Sequence, residues 1–538
     1  MKKLIVTAGL FMCFGVVFAG GLLTNGNQSA QYIRMLSRNA STDYDAVYFN
    51  PAGLMKLENG FFISVQSQTL FQTKTITSGY PYLNSSTYDG KVTVPVFPTA
   101  FAIYKMDKFA FSLGFGPNSG GGSAEYATGL PSFEKTISSL VPGLAGLAKL
   151  GQSITNYKTD ISFKGESVFW GIQGGVTYKL NEMFSVYGGA RYVPATNTYT
   201  GYIQNIQLKV NGTFKNAATY LTSEIAPALT SQASQSTGAA TMVQPLISGG
   251  AGTLTLAQAN GAGLISAAQR AQLEGGLLSL GATQAQINAM PITSVQATYT
   301  AGAATLNGQA AQMTATGAQL KDKSVDVKQT GTGITPIIGV NITPVAGLNI
   351  GIKYEFKTKL TLTNATAVDG TGMFPNGAQS SSDIPALFSI GADYKVTKDF
   401  DFSVSYNNYN DKGVDWGNNI YGEPRTIDHN AWELAIGGQH TICKGLAISL
   451  GYLHTEMGVS QQFNSDFSYY SNSNTFGGGF QIKPMANLTV DLGMLFTNYQ
   501  TASKPFKDAN AAVGNYVEMY DKHNLGFAIG LGYHFGGK

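Results

Sequence analysis

From Leu348 to Leu362 the chain reads LNIGIKYEFKTKLTL, in which Leu348, Ile350, Ile352, Tyr354, Phe356, Leu360 and Leu362 alternate with Asn349, Gly351, Lys353, Glu355, Lys357, Lys359 and Thr361. A period of two belongs to a strand with one apolar and one wet face. The run covers about fifteen residues, well beyond the ~5–6 of a globular strand, and a tilted strand needs ~9–11 merely to cross a bilayer. The pattern recurs at Phe400, Phe402, Val404 and Tyr406, at Leu488, Val490, Leu492, Met494 and Phe496, and from Leu525 through Phe527, Ile529, Leu531 and Tyr533 to Phe535.

Such segments number about fourteen, an even count as single-chain bacterial barrels require. They fall near 60–77, 94–106, 109–117, 161–180, 184–210, 323–343, 348–364, 384–397, 400–410, 430–443, 446–460, 473–484, 488–502 and 523–536. The connections at 106–108, 180–183, 343–347, 396–399, 443–445 and 483–487 are tight, and the alternate ones are long. A barrel with short periplasmic turns and long outer loops produces this sorting, whereas sandwich loops need not sort by parity. Aromatic pairs flank the tight turns, Tyr104 with Phe109, Tyr178 with Phe184 and Tyr394 with Phe400, as in a girdle at the headgroup level. The sequence therefore predicts an all-β fold, an antiparallel transmembrane β-barrel occupying 59–538 in the bacterial outer membrane.

Composition removes other classes. Asp, Glu, Lys and Arg make up 12% of the chain, against roughly 25% in a soluble domain, so few charges remain for a watery surface. Beyond the first twenty residues no apolar run approaches the ~18–20 positions of a membrane helix. With 34 Lys and Arg against 31 Asp and Glu, no field points to nucleic acid. Lys2 and Lys3 precede an apolar stretch that ends in Val17-Phe18-Ala19, which reads as a secretory signal over 1–19. Its removal, with Cys13, leaves Cys443 as the one cysteine and no internal disulfide.

Two regions break the alternation. Residues 20–58 are polar yet carry enough aliphatic and aromatic residues to pack, and an element ahead of the first strand can fold back into the lumen as a plug. Residues 211–322 are rich in Ala, Gln, Gly, Thr and Ser, a composition that by itself suggests disorder. Within them Ser266 to Leu280 places Leu273, Leu277 and Leu280 at helical spacing behind a Ser-x-x-Gln start, and Thr283 to Met290 repeats that start with Gln286. The reading is short helices in one long outer loop. A smaller helical candidate lies at 131–150.

Asn50-Pro51-Ala52, in DAVYFNPAGL just before the first strand, resembles the hatch motif of the FadL/TodX family of outer-membrane transporters for long-chain fatty acids and aromatic hydrocarbons. The similarity extends to the signal, the polar N-terminal segment, the strand count, the long loop between strands five and six, and the glycine-rich GFGPNSGGG after strand three. DIPALFSIGADYKVTKDFDFSVSYNNY at 383–409 is similar to the family's eighth and ninth strands. The resemblance implies a cofactor-free monomeric barrel closed by its N-terminal segment and seated in outer-membrane lipid. Such a barrel takes up hydrophobic molecules and releases them sideways through a kinked third strand. Here the kink would fall at Gly114, Gly116 and Pro117, followed by Gly120, and Asn50, Pro51 and Ala52 would meet the plug side of that opening. Proline lacks an N–H and glycine tolerates strained angles, so this stretch cannot sustain a full ladder. By parity, Arg191, Lys353, Lys357 and Lys359 could point inward and pair a fatty-acid carboxylate. They could equally pair with the inward acids Glu355, Asp393, Glu433 and Asp491.

The leading function is passive transport of hydrophobic small molecules, long-chain fatty acids first among them, with an aromatic-hydrocarbon channel or a diffusion porin for polar solutes as alternatives. No Walker loop, metal-ligand cluster or nucleophile elbow appears, so no catalytic or metal-binding residue is assigned.

Overall fold

The computed structural model describes residues 22–535. The signal read over 1–19 and the terminal Gly536-Gly537-Lys538 lie outside the described residues. The wall is a closed antiparallel barrel whose fourteen strands are β1 Gly60–Ser78, β2 Thr87–Met106, β3 Phe109–Tyr126, β4 Ile154–Lys179, β5 Phe184–Val210, β6 Lys323–Val345, β7 Leu348–Glu355 resumed at Thr361–Asp369, β8 Leu387–Lys395 preceded by Gln379–Ser381, β9 Phe400–Tyr409, β10 Trp432–Cys443, β11 Leu446–Glu456, β12 Ser473–Met485, β13 Leu488–Tyr499 resumed at Ala502–Lys507, and β14 Asn515–Phe535. Closure comes from β1 and β14, which pair from Phe61–Phe535 to Ser78–Glu518. The expected tight turns stand between the expected strands.

The wall inverts the rule for soluble proteins. Val65, Leu113, Ile334, Leu450 and Ile529 are exposed on its outside, while Gln66, Ser112, Thr335, Ser449 and Thr475 are buried within. An apolar outer band on a closed ladder is the β solution to spanning hydrocarbon. Among the described residues no helix is long and apolar enough to cross a membrane.

One expectation from periodicity fails in β7. Between the pairs Ile337–Glu355 and Thr330–Thr363, β7 carries one residue more than β6. The extra residue is a bulge that reverses which face each side chain takes. Phe356 therefore still faces out, but Thr358, Leu360 and Leu362 turn inward and are buried, and Lys359 is exposed on the outside.

Residues 22–55 are buried inside the barrel almost throughout. Ser29 caps the short helix Ala30–Arg34 by accepting from Tyr32 N, and the helix delivers Arg34 to the wall, where Nε meets Asp491 Oδ1 at 2.8 Å and Nη1 bonds Gln439 and Ser449. Within the segment, Arg38 grips Asp45 at 2.7 and 2.8 Å. Burial opposes ionisation of Asp45, but Arg38 and the hydroxyls of Ser41 and Ser29 outweigh it and hold the carboxyl below its usual range. Inward glycines make room for this segment: a Cβ at Gly351 would sit 2.1 Å from Asn39 O, and one at Gly477 would sit 2.5 Å from Ile33 O.

By contact the chain divides into two compact units, the second comprising Leu144–Thr159 and Gln204–Asp322. Its helices Ala267–Ser279 and Gln284–Ala289 begin in the expected capping boxes, Ser266 with Gln269 and Thr283 with Gln286. The expectation of short helices alone is corrected, because Ala226–Leu246 and Ile292–Gln319 are long. They run antiparallel, with Gln296 at Gln244 and Gly317 against Thr222. This unit has its own core, including Leu256, Leu273, Leu277, Ile287, Val295 and Tyr299.

Candidate functional site

The wall is interrupted between β2 and β3. They pair from Lys91–Glu125 to Thr93–Ser123 and again from Ala100–Phe115 to Met106–Phe109, leaving Val94–Thr99 and Gly116–Gly122 unpaired with each other. The composition explains the break. Pro95, Pro98 and Pro117 have no N–H to give, and Gly120 and Gly121 take φ of +67° and +111°, where a side chain would be strained. The freed carbonyls find partners on the N-terminal segment: Asn25 Nδ2 donates to Pro117 O at 3.1 Å and Gly120 O at 2.9 Å, Gln28 Nε2 donates to Pro117 O at 2.8 Å, and Asn25 N donates to Asn118 O at 2.8 Å.

Behind the break lies a small cavity of about 10 Å³, room for a single water, lined by Gln28, Gly114, Gly116, Phe115, Tyr48 and Arg191, among others. Phe115, one of its lining residues, turns its side chain to the outer face. A second small cavity of about 20 Å³ lies between Tyr32, Phe49, Tyr48, Lys353, Tyr409 and Glu433. Tyr48 borders both.

Around Tyr48 sits a buried ionic cluster. Arg191 clamps Glu355 through two hydrogen bonds of 2.6 and 3.1 Å, and also donates to Gln173 at 2.7 Å and Asn118 at 2.9 Å. Lys353 Nζ reaches Glu355 Oε1 at 2.6 Å and Tyr48 O at 2.8 Å. Both cations lie 4.7 Å from the Tyr48 ring centroid, within cation–π reach. Arg191, Lys353 and Glu355 carry one formal positive charge between them, and Glu433 on the inner cavity offsets it.

No family model and no curated protein matches the sequence. Among solved structures, a FadL homologue of Pseudomonas aeruginosa matches over 96% of this chain and 100% of its own, with TM-score 0.54 and 12% identity. The toluene transporter TodX of Pseudomonas putida matches over 96% and 100%, with TM-score 0.51 and 13% identity. The chain has the FadL and TodX fold.

Within this FadL-type barrel, Gly114 and Gly116 line the outer void, and Pro117 and Gly120 supply the carbonyls held by Asn25. Arg191 and Lys353 come together on Glu355. Lys357 does not join them; it meets Asp383 at 3.3 Å and is exposed. Lys359 is carried to the outer face by the β7 bulge. The hydrogen bonds of Asn50, Pro51 and Ala52 go to other strands than the third. Asn50 Nδ2 donates to Asn341 Oδ1 at 2.8 Å, Pro51 O accepts from Thr177 at 2.7 Å and Ala52 O accepts from Ser185 at 2.7 Å, which seats the motif on β4, β5 and β6. The residues at the break, Asn25 and Gln28, carry no local sequence signal. Pro95 and Pro98 do, since two prolines in one strand mark a ladder that cannot close.

Proposed function

We propose that this chain is an outer-membrane channel for hydrophobic small molecules, long-chain fatty acids first among them, moved by passive diffusion and released sideways between β2 and β3. The observation that carries this reading is the sequence of inner void, Tyr48, outer void and wall break. The N-terminal segment serves as a plug that must shift before a ligand passes, and its place in the lumen disfavours a diffusion porin for polar solutes. Arg191 and Lys353 are the buried bases beside this path that could meet a ligand carboxylate, in competition with Glu355. Lys357 and Lys359 are left out of that role by their exposure.

A second reading, an aromatic-hydrocarbon channel, is favoured by the ring-rich wall of the inner void, where Tyr32 stacks on Phe49 at 5.4 Å between centroids. Native mass spectrometry of the purified protein, exposed to long-chain fatty acids, aromatic hydrocarbons and oligosaccharides together, separates these readings. Retained fatty acid supports the first and retained hydrocarbon the second, while retained oligosaccharide alone sinks both. For lateral release the test is Gly116→Leu. Even a Cβ there meets Thr99 Cγ2 at 2.8 Å and Gln28 Oε1 at 2.9 Å, so uptake should fall while ligand binding persists. Uptake equal to that of the unaltered protein would remove the β2–β3 exit.

A further inference from the structure

The extra residue in β7 also dents the wall. On β6, Gly331 and Gly333 alternate with the outward Thr330, Thr332 and Ile334 and so face the lumen. A Cβ at Gly331 would sit 2.2 Å from Thr361 O, and one at Gly333 would sit 2.5 Å from Thr358 Cγ2 and 2.9 Å from Lys359 O. From Thr358 to Thr361, β7 therefore lies against the inner side of β6 rather than beside it. Ile384 holds it there by exchanging two backbone hydrogen bonds of 3.0 Å with Thr358, and Asp383 Oδ1 accepts from Leu360 N at 3.0 Å. The outside of the barrel is left with a hollow of about 530 Å³, lined by Pro194 and Thr196 of β5, Thr330 and Thr332 of β6, and Lys359 and Thr361 of β7, among others. That volume falls within the ~300–1,000 Å³ of small-ligand sites.

The height of the hollow on the wall decides what meets it. The tight turn from β6 ends at Leu348, so Lys359 lies toward the long outer loops. On the turn side of the hollow the outer face carries Tyr192, Ile334 and Phe356, all exposed, and Tyr192 pairs with Ile334 across β5 and β6. Exposed rings of this kind mark the headgroup level, so the hollow opens among the heads of the outer leaflet. Its threonine hydroxyls both donate and accept. Lys328, the next outward residue beyond Thr330, is exposed and adds a second cation to Lys359, with Asp326 one outward step farther off. Lys357 is taken by Asp383, whereas Lys359 and Lys328 make no ion pair among the described residues. Two cations beside a set of hydroxyls match a head that carries phosphate on a polyhydroxylated ring. The exposed Ile334 and Ile338 offer acyl chains an apolar surface on the membrane side. We propose that this hollow is a lipid site on the outside of the barrel. It holds a phosphorylated glycolipid of the outer leaflet, with phosphate at Lys359 and Lys328, ring hydroxyls on the threonines and chains along Ile334 and Ile338. The site is independent of what passes through the lumen.

The test is native mass spectrometry of the full-length protein in detergent, titrated with a bisphosphorylated hexa-acyl diglucosamine, with its dephosphorylated form and with phosphatidylglycerol. The unaltered chain is compared with Lys359→Gln, Lys328→Gln and the double variant, with folding checked by heat-modifiable gel mobility. Affinity for the phosphorylated glycolipid should fall by about fivefold per lysine, the contribution of one basic side chain at an anionic lipid surface. Equal binding by all four proteins overturns the site. Dephosphorylated glycolipid held as tightly as the phosphorylated form removes the part given to the lysines and overturns the proposal. Phosphatidylglycerol held as tightly, and lost with the lysines, overturns the glycolipid as occupant. A dimer in place of lipid adducts gives the hollow to a second copy of the chain and overturns it too. Should the variants not fold, hydrogen exchange in the unaltered protein decides the matter. Slower exchange over 357–363 with the phosphorylated glycolipid and not with its dephosphorylated form supports the site, and unchanged exchange overturns it.

Discussion

Asn25 and Gly120 are joined by a 2.9 Å hydrogen bond from a side-chain amide to a carbonyl that the broken β2–β3 ladder leaves without a strand partner. The same amide holds Pro117 O, which Gln28 Nε2 also reaches at 2.8 Å. Asn25→Ala removes the side-chain donor of Gly120 O and leaves Pro117 O to Gln28, at about 1–3 kcal/mol for a buried group left unpaired. Hydrogen exchange at the amides of 118–122 should then quicken by at least roughly tenfold. Exchange rates equal to those of the unaltered protein would show that the segment does not hold the break.

Among the described residues Glu355 is the carboxylate that forms ion pairs with Arg191 and Lys353. Glu355→Ala leaves two buried cations facing each other, a change that costs about 3–5 kcal/mol where one partner of a buried pair is removed. Unfolding followed by heat-modifiable gel mobility should shift to clearly lower temperature, and the double change Glu355→Ala with Lys353→Met should recover much of the loss. A single variant as stable as the parent would mean that water already screens the cluster.

Asp411 lies in the connection between β9 and β10 and is wholly buried, with Oδ2 accepting from Ala431 N at 3.0 Å and Oδ1 without a donor. Burial pushes its carboxyl up to about 7. The packed loop therefore binds a proton that the opened loop, with an ordinary carboxyl near ~4, has already released. Closure is firm below pH ~4, weakens as pH rises toward 7 and levels above it. Exchange protection over 411–431 should drop by about 2 kcal/mol between pH 5.5 and 8, after correction for intrinsic rates. Asp411→Asn should flatten that profile, and a pH-independent profile in the parent would contradict the assignment.

Deleting 211–322 removes most of the second compact unit but not the β5–β6 ladder, which already pairs Ile203 with Lys323. The shortened protein should keep the mobility shift of a folded barrel and lose ligand capture several-fold, read as a slower uptake rate at low ligand concentration. Unchanged uptake would dismiss this unit from capture.

Strands were legible because their alternation runs far past globular length and because parity sorts the connections. The capping boxes at Ser266 and Thr283 were legible because they are local. The long helix Ala226–Leu246 was hidden by its content rather than its spacing: Ala226, Leu229, Ala233, Ser236, Ala240 and Val243 are its buried residues. They recur at alternate steps of three and four, the seam of paired helices, but small residues give that seam little hydrophobic contrast. At the site, parity put Arg191 and Lys353 in the lumen and then misplaced Lys359, because a bulge is a relation between two strands that neither strand's sequence records alone. Asn25 acts on a carbonyl 92 residues away, and Lys74 meets Lys522 only because the first and last strands close the wall. Contacts made by closure leave no periodic trace.

The bulge in β7 also marks a waterline. Up to Phe356 the outward residues are Leu348, Ile350, Ile352 and Tyr354; beyond it they are Lys359, Thr361 and Thr363, alongside Thr330 and Thr332 of β6. From Leu348 to Phe356 the strand climbs roughly 26 Å at ~3.3 Å per residue, or about 20 Å of height once tilted, close to the ~25 Å apolar band of such barrels. The same extra residue that draws Leu360 and Leu362 into the lumen thus ends the greasy coat outside, so that one insertion sets both where the hydrocarbon stops and where the interior turns apolar.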